Sequence, residues 1–312
     1  MAGADAAMDN QPRLALATTY EGDDPALLER IAPLIDTIEI APDSIAESDG
    51  RGKQRLRRAI LDEYAAVNHQ VNFVAHGIGL SIGSFDHWQE GYLRLLDELF
   101  SRFELEWHSE HLACTVVAGE NVGTMFALPR TAETLDLICE RVRLIQERYR
   151  VPFLLEHVIH LLPEAPAEFS PAGFLNAITS RTGCGLILDA YNLECDAHNQ
   201  GLDIPAFLDE LNLSAVRELH LAGGVQHKGF YLDIHSRTTC DSTLALGLEI
   251  IRRAPNLRVA TYELLKEAVR PLGHDAICSE LGRIRQAVGN LNENDPLPVP
   301  ASNGSLARRG GA

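Results

Sequence analysis

The chain has 312 residues, of which 46% are hydrophobic, so it can bury the core of one large α/β domain or of two ordinary ones. Its 44 acidic and 27 basic side chains give a formal net charge of -17, which repels phosphate backbones and argues against DNA or RNA as a partner. No apolar run reaches the roughly 20 residues that span a bilayer, and residues 1–12 lack the pattern of a secretory signal. We therefore expect a cytoplasmic protein that binds neither nucleic acid nor membrane.

Eight short apolar segments are predicted to be strands. Several are apolar at nearly every position, as is typical of parallel strands buried on both faces. In chain order they are residues 13–18, 37–40, 72–75, 104–107, 153–155, 185–188, 218–221 and 258–261.

Helical patterns lie between these strands, with apolar residues recurring every three or four positions. The clearest cover residues 51–67, 87–100, 131–149, 205–211 and 244–253, and Thr131 and Ser170-Pro171 resemble helix starts. Eight βα units in about 250 residues predict a single-domain α/β fold, a (β/α)8 TIM barrel over residues 13–293. Residues 1–12 and 294–312 have the composition of disordered ends.

Each predicted strand ends at, or is followed by, residues that can bind a metal or transfer a proton. In a parallel barrel the carboxyl ends of the strands meet at one mouth, so these residues would become neighbours there. We expect a metalloenzyme whose mouth carries Thr18 to Tyr20, Glu39, His76, Glu110 and His111, Glu156 and His157, Asp189, His220 and Glu263.

A glycine-rich stretch, His76-Gly77-Ile78-Gly79-Leu80-Ser81-Ile82-Gly83, follows the third strand. It does not open a helix as a dinucleotide-binding turn does, so a phosphate cradle is the weaker interpretation. The glycines would instead let the backbone pass close to a site that His76 enters. A core histidine on a tight turn is the alternative.

Adjacent residues of an extended chain face opposite ways, so only one of Glu110 and His111 need point inward. The other could orient it as an outer partner, or both could form a surface pair. Glu156 and Asp189 end strands that are otherwise apolar, and two buried carboxylates converging on one mouth favour a cation.

The segment after the seventh strand contains Asp233-Ile234-His235, in which the two polar side chains would face the same way in extended chain. An ion pair or an Asx turn is the alternative. Asn192 lies within reach of the mouth, whereas Asp196, His198 and Asn199 are expected to form a solvated loop.

This candidate set is too large for one ion, so two or three metals are implied. Imidazole and carboxylate ligands without thiolate suit iron, manganese or zinc. A zinc–thiolate site or a disulfide framework is disfavoured because no CxxC pair occurs among the six cysteines, Cys114, Cys139, Cys184, Cys195, Cys240 and Cys278.

The order of these motifs resembles the multinuclear non-haem iron-dependent oxidases, a family that includes the methanobactin-biosynthesis oxidase and other enzymes that modify cysteine in ribosomally made peptides. The resemblance spans about residues 13–285. It rests on HGIGLSIGS at His76, SEHL at Ser109, LLE at Leu154, TGCGLILDAYN at Thr182, HNQG at His198, ELHLAGG at Glu218 and DIH at Asp233.

The resemblance implies a TIM barrel that holds two or three iron ions of mixed Fe(II)/Fe(III) valence. Carried over by position, the metal ligands are His76, His111, Glu156, Asp189, His220, Asp233, His235 and Glu263, with Glu110 and Asn192 as further candidates. Three segments depart from the family pattern: Glu39-Ile40-Ala41-Pro42-Asp43, Glu156-His157 and Glu263-Leu264-Leu265. These departures favour a di-iron core with a weak or absent third site.

The resemblance also implies an activity. The enzyme would use O2 to modify a cysteine of a ribosomally synthesised precursor peptide, by thiolate binding to Fe and hydrogen abstraction beside sulfur. A separate leader-peptide-binding protein would present the peptide, in a heterodimer.

Two other interpretations remain open from the residues. One is a xylose-isomerase-like barrel that uses two divalent ions for sugar isomerisation or hydrolysis. The other is a non-catalytic metal-binding scaffold.

Overall fold

A computed structural model describes residues 13–48, 50, 53–85, 88–162 and 167–291. Its centre is a closed barrel of eight parallel strands whose spatial order follows the chain, which confirms the predicted single-domain (β/α)8 fold. The predicted disordered ends, residues 1–12 and 294–312, lie outside the described residues. The barrel strands are β1 (Ala15–Thr19), β2 (Thr37–Ile40), β3 (Asn72–Gly77), β4 (His108–His111), β5 (Phe153–Glu156), β6 (Gly185–Asp189), β7 (Val216–Leu221) and β8 (Val259–Tyr262).

Five of the ten described helices begin at a residue whose side chain caps the first turn. The Thr131 side chain accepts from the Thr134 N–H, and Ser170 accepts from Gly173 with Pro171 in the first turn, so both predicted helix starts are confirmed. The helices are α1 (Pro25–Ile31), α2 (Arg58–Val67), α3 (Glu90–Phe100), α4 (Ala132–Arg148), α5 (Pro171–Thr182), α6 (Ala190–Gln200), α7 (Ile204–Glu210), α8 (Asp241–Arg253), α9 (Lys266–Leu272) and α10 (His274–Gly289), with 3-10 turns at Ala32–Leu34 and Leu213–Ala215. None of these described helices has the length and apolar character needed to cross a membrane.

Three sequence predictions were wrong in their boundaries. The fourth strand covers His108–His111 and not residues 104–107, because the apolar segment only leads into the sheet, where Glu106 N–H already donates to the Phe73 carbonyl. The second helix begins at Arg58 because residues 54–56 pair in a hairpin. Asp196, His198 and Asn199 belong to α6 and are not a solvated loop.

Three antiparallel hairpins, which the sequence did not predict, follow β2, β4 and β7 at the carboxyl ends of those strands. Most residues of their strands are exposed or half-buried, so the clearest signal was in their turns. Two turns place a non-glycine residue and a glycine at positive φ: Ala118-Gly119 (50° and 82°) and Lys228-Gly229 (49° and 89°). The hairpins pair Ala46–Ser48 with Gln54–Leu56, Ala113–Val117 with Glu120–Ala127, and Val225–His227 with Phe230–Leu232.

The barrel interior has its own small apolar core, separate from the large core between the sheet and the helices. This inner core closes the barrel below its mouth, so side chains further along the strands line a closed cup. Its residues are Ala17, Val74, Trp107, Leu154, Ile187 and Val259.

Candidate metal centre

The pleat of the strands points the predicted ligands into the cup. Alternate residues of a strand face the same side, so the residue two positions after an inner-core residue also points into the barrel. In β3, β5 and β6 this residue is His76, Glu156 and Asp189, respectively. The register then sets His111 opposite Glu156 and His220 opposite Asp189. Residues from five strands therefore meet at the mouth.

Glu156 lies at the centre of one half of the cluster. Its Oε2 is 2.9 Å from His76 Nε2 and 3.2 Å from His111 Nε2, and its Oε1 is 3.5 Å from His220 Nδ1. The rings of His76 and His111 lie with their centroids 4.4 Å apart. One carboxylate thus lies close to three imidazole rings from three other strands.

Glu263 joins the two halves of the cluster. Its Oε2 is 2.7 Å from His220 Nδ1 and its Oε1 is 3.1 Å from His235 Nδ1. His235 Nε2 contacts Asp233 and lies 3.5 Å from Asp189 Oδ2. The contacts connect all eight residues of the predicted ligand set: His76, His111, Glu156, Asp189, His220, Asp233, His235 and Glu263.

The two further candidates, Asn192 and Glu110, lie differently. With its amide nitrogen facing the carboxylate, Asn192 donates to both oxygens of Asp233 over 3.2 and 3.1 Å, so it supports a ligand of the cluster. Glu110 is on the outer face of β4 with His108, whose ring packs against Phe153 at 5.1 Å. The structure therefore does not bring Glu110 to the cluster.

Hydrogen bonds fix which ring nitrogens of two histidines are free. The Ser109 hydroxyl donates its one proton to the Ala75 carbonyl, so it must accept from His76 Nδ1–H, 2.9 Å away. His111 Nδ1–H donates to the Gly77 carbonyl over 2.9 Å. In the neutral rings, both Nε2 lone pairs then face the Glu156 carboxylate, which is unfavourable unless a cation or a second proton lies between them.

The donor atoms fit a bound metal better than they fit one another. Two ligands about 2.1 Å from one ion at tetrahedral or octahedral angles are about 3.0–3.4 Å apart, close to the separations found around Glu156. Among the described residues, many of these buried atoms nevertheless have no hydrogen-bond partner of correct geometry, including both oxygens of Glu156, both nitrogens of His220 and Nε2 of His76 and His235. Buried polar groups are normally paired, so these atoms favour a cation bound among them.

Three sets of donor atoms lie within 4.8 Å of one another, which suits more than one ion. They are His76, Glu156 and His220; Glu156, Asp189, His220 and Glu263; and Glu39, Glu218 and His220. The described cysteines are all free thiols, and none belongs to these sets. The donors are thus imidazole and carboxylate, the combination that suits iron, manganese or zinc.

The third set contains residues that were not in the predicted ligand set. Glu39 Oε2 is 3.2 Å from His220 Nε2, and neither Glu39 oxygen has a partner among the described residues. Glu218 accepts from Trp107 Nε1–H at 2.9 Å and from the Thr261 hydroxyl at 2.5 Å. The spacing Glu218-x-His220 was the available signal, since alternate residues of a strand face the same side.

Without a metal, the electrostatics of the cluster favour bound protons. Burial raises the pKa of Asp189 to about 8, and the neighbouring charge of Glu156 adds to this. Burial opposes charge on His76, but the carboxylates of Glu39 and Glu156 outweigh it and raise the pKa of His76 to about 9. A cation would replace these protons, because metal ligands must be deprotonated.

Comparisons with known proteins give matches over most of the chain. A family model described as "RiPP precursor modification enzyme MbnB/TglH/ChrH", in which RiPP denotes a ribosomally synthesised and post-translationally modified peptide, matches residues 24–285. A UPF0276 protein of Anaeromyxobacter sp. (strain Fw109-5) is 32% identical over 243 residues, covering 78% of this chain and 82% of that protein. A UPF0276 protein of Caulobacter vibrioides is 31% identical over 221 residues, covering 71% and 76%.

Solved structures with a similar fold are more distant in sequence. A xylose isomerase domain protein from Alicyclobacillus acidocaldarius gives a TM-score of 0.56 at 14% identity, covering 89% of this chain and 99% of that one. D-psicose 3-epimerase from Clostridium cellulolyticum H10 gives 0.54 at 12% identity, covering 88% and 98%. These similarities show the TIM-barrel fold alone.

Proposed function

Because this chain belongs to the MbnB/TglH/ChrH family of RiPP precursor modification enzymes, we propose that it is an iron- and O2-dependent oxidase that modifies a cysteine of a precursor peptide. The observation that carries the proposal is the Glu156 arrangement: Nε2 of buried His76 and Nε2 of partly buried His111 approach one buried carboxylate without hydrogen-bond geometry. A cation that accepts mixed imidazole and carboxylate ligands removes this conflict.

Bound iron would supply the oxidising chemistry, taking the cysteine thiolate and dioxygen as reactants so that hydrogen is removed from the carbon beside sulfur. The chain itself holds the ligands in place. Ser109 fixes the ring of His76 through Nδ1, and Asn192 holds the Asp233 carboxylate. Because the inner core closes the barrel below, the peptide enters from the mouth, where the surrounding loops can exclude water.

The rim of the mouth suits a peptide and a protein partner. Ten of the eleven exposed large hydrophobic side chains among the described residues follow the carboxyl ends of barrel strands, and only Leu144 does not. Clustered exposed apolar residues mark interaction sites. We infer that a separate leader-binding protein covers part of this rim in a cytoplasmic heterodimer. The ten are Ile78, Phe85, Val117, Val122, Phe126, Leu161, Leu162, Phe230, Ile234 and Leu265.

The thiol-binding step can be tested before the natural peptide is known. Anaerobically purified protein would be loaded with iron, partly oxidised, and titrated with glutathione as a cysteine-containing probe. We expect a visible absorption band from thiolate bound to Fe(III). Glu156→Gln should abolish the band because it removes the carboxylate shared by three histidines, whereas Glu133→Gln, on the exposed first turn of α4, should retain it. An iron-loaded wild-type protein that gives no band would contradict the proposal.

A further inference from the structure

A cavity beside the metal centre is lined by none of the proposed metal ligands. Its volume is about 490 Å³. It is bounded by the hairpin after β4, the glycine-rich turn after β3, and the start of α3, and amide side chains of Gln54, Gln89 and Asn121 lie in its wall. This volume is within the range of ligand-binding pockets.

Two polar side chains line the floor of this cavity, and a third lies beneath them. Asp43 and Tyr92 line it, and Glu110 lies beside the Tyr92 hydroxyl on the outer face of β4. Tyr92 and Glu110 are at most 3% exposed. Among the described residues, Asp43 Oδ1 and Glu110 Oε2 are buried without a hydrogen-bond partner, and the buried Tyr92 hydroxyl faces the Glu110 carboxylate without hydrogen-bond geometry. Unpaired buried polar groups are rare, and here two of the three are carboxylates.

The glycine-rich turn is what allows these groups to approach. A Cβ at Gly77 would lie 1.7 Å from the Tyr92 hydroxyl oxygen and 2.5 Å from Glu110 Oε1. A Cβ at Gly79 would lie 2.8 Å from Tyr92 Cδ2 and 3.1 Å from Asp43 Oδ2. The lack of a side chain at these two positions therefore lets Tyr92, Glu110 and Asp43 pack closely against the turn.

The arrangement suits an extended cation better than a metal ion. Among the described residues, this cluster is not one of the sets of three or more His, Cys, Asp and Glu donors within 4.8 Å of one another. A guanidinium group is planar, permanently charged and carries five N–H donors, so it can serve separate acceptors at once. We propose that this cavity is a subsite for an arginine side chain of the peptide substrate.

The position of the subsite relates it to the metal centre. Ile78 and Gly79, which line it, directly follow His76 and Gly77, and His111 binds the Gly77 carbonyl. An extended peptide advances about 3.3–3.6 Å per residue, so an arginine held here would place a residue a few positions away at the mouth. This inference rests on the proposed function, since it assumes a peptide substrate.

Binding can be measured on the iron-loaded full chain, under anaerobic conditions, by calorimetry with N-acetyl-arginine amide. The controls are N-acetyl-citrulline amide, which is neutral and nearly the same shape, and N-acetyl-lysine amide. We expect arginine to bind at least about tenfold more tightly than citrulline, and more tightly than lysine. Asp43→Asn and Tyr92→Phe should each weaken arginine binding severalfold. Asp62→Asn, which removes the same charge from an exposed position of α2, should not.

Equal binding of arginine and citrulline, or wild-type arginine affinity in correctly folded Asp43→Asn and Tyr92→Phe proteins, would overturn the proposal. Loss of iron from Asp43→Asn would also overturn it, because Asp43 would then belong to the metal centre. Equal binding of lysine would overturn the guanidinium assignment. The glutathione titration does not involve this cavity, so failure of the oxidase proposal and failure of the arginine subsite give different results.

Discussion

Glu156 shows why the centre requires a positive charge. Burying a carboxylate is unfavourable unless it is paired. Two of the three histidines beside Glu156, His76 and His111, already use their other ring nitrogen to bind Ser109 and the Gly77 carbonyl. Two arrangements would compensate the negative charge of the Glu156 carboxylate: additional protons on the imidazoles, or metal cations between the donor atoms. The raised pKa of His76 corresponds to the first arrangement and a loaded enzyme to the second.

Glu39 provides a test at the scale of one residue. We predict that Glu39→Gln leaves the fold intact but lowers iron affinity by about 10- to 100-fold, the usual effect of removing a carboxylate partner from a ligating histidine. The reason is that Glu39 Oε2 lies 3.2 Å from His220 Nε2. Competition with a chelator would measure the affinity. Glu140→Gln, on the exposed face of α4, is the matched control, and equal iron affinity in the two variants would contradict a role for Glu39.

The sequence identified the residues of the mouth better than their orientation. His76, Glu156, Asp189 and His220 follow apolar segments, and a parallel barrel brings such positions together whatever the details. Glu110 and His111 could not be separated in this way. Which of them faces inward depends on strand register, because a shift of one residue exchanges the two faces of a strand.

The boundary of β4 was misplaced because the strand His108–His111 is polar on both faces. Its inner side chains, Ser109 and His111, serve the metal centre, while His108 and Glu110 are buried outside against aromatic rings. Hydrophobic periodicity identifies strands that bury apolar residues, so it favoured the preceding segment. The chemistry of the site overrode the usual pattern of a buried strand.

The turn after β3 can be tested as an element. We predict that Gly77→Ala destabilises the protein by about 1–3 kcal/mol, the usual cost of overpacking, because the added Cβ would overlap the Tyr92 hydroxyl. Urea unfolding would measure the change. Gly282→Ala, in α10 where a Cβ meets nothing within 4 Å, should be stabilising by about 0.5–1 kcal/mol. If Gly77→Ala were as stable as wild type, the close approach described for the turn would be incorrect.

At the scale of the whole molecule, the βα alternation was sufficient to predict the barrel, since each of its eight strands is followed by a helix. The three hairpins could not be predicted in the same way. Most residues of their strands are exposed or half-buried, so hydrophobic periodicity does not reveal them. The fold was therefore easier to predict than the rim through which a substrate must pass.

The stability of the metal-free protein should fall as pH rises from 6.5 to 9. Asp189 and His76 have folded pKa values of about 8 and about 9, above their ordinary values, so the folded state binds their protons more tightly than the unfolded state does. The contribution of Asp189 to the free energy of unfolding declines as pH rises towards 8. The contribution of His76 is fully present below about pH 6.5 and is lost as pH rises through 9. Buried His108, whose pKa burial lowers to about 3, is neutral in both states across most of this window.

Melting temperatures of chelator-treated protein across this pH range would check the prediction. Fe(II), added without oxygen, should raise the melting temperature more at pH 8.5 than at pH 6.5, because deprotonated ligands bind it best. A metal-free melting temperature that rises over the same range would show that the cluster does not hold extra protons.

The central claim is that the cluster around Glu156 binds more than one iron ion for oxidation of a cysteine peptide. Its most direct test is elemental analysis with Mössbauer spectroscopy on protein purified without oxygen from iron-supplemented cells. We predict two or more irons per chain, including a magnetically coupled pair whose spectrum changes when a cysteine-containing peptide is added. Stoichiometric zinc or manganese with little iron, and no spectral response to the peptide, would contradict the account.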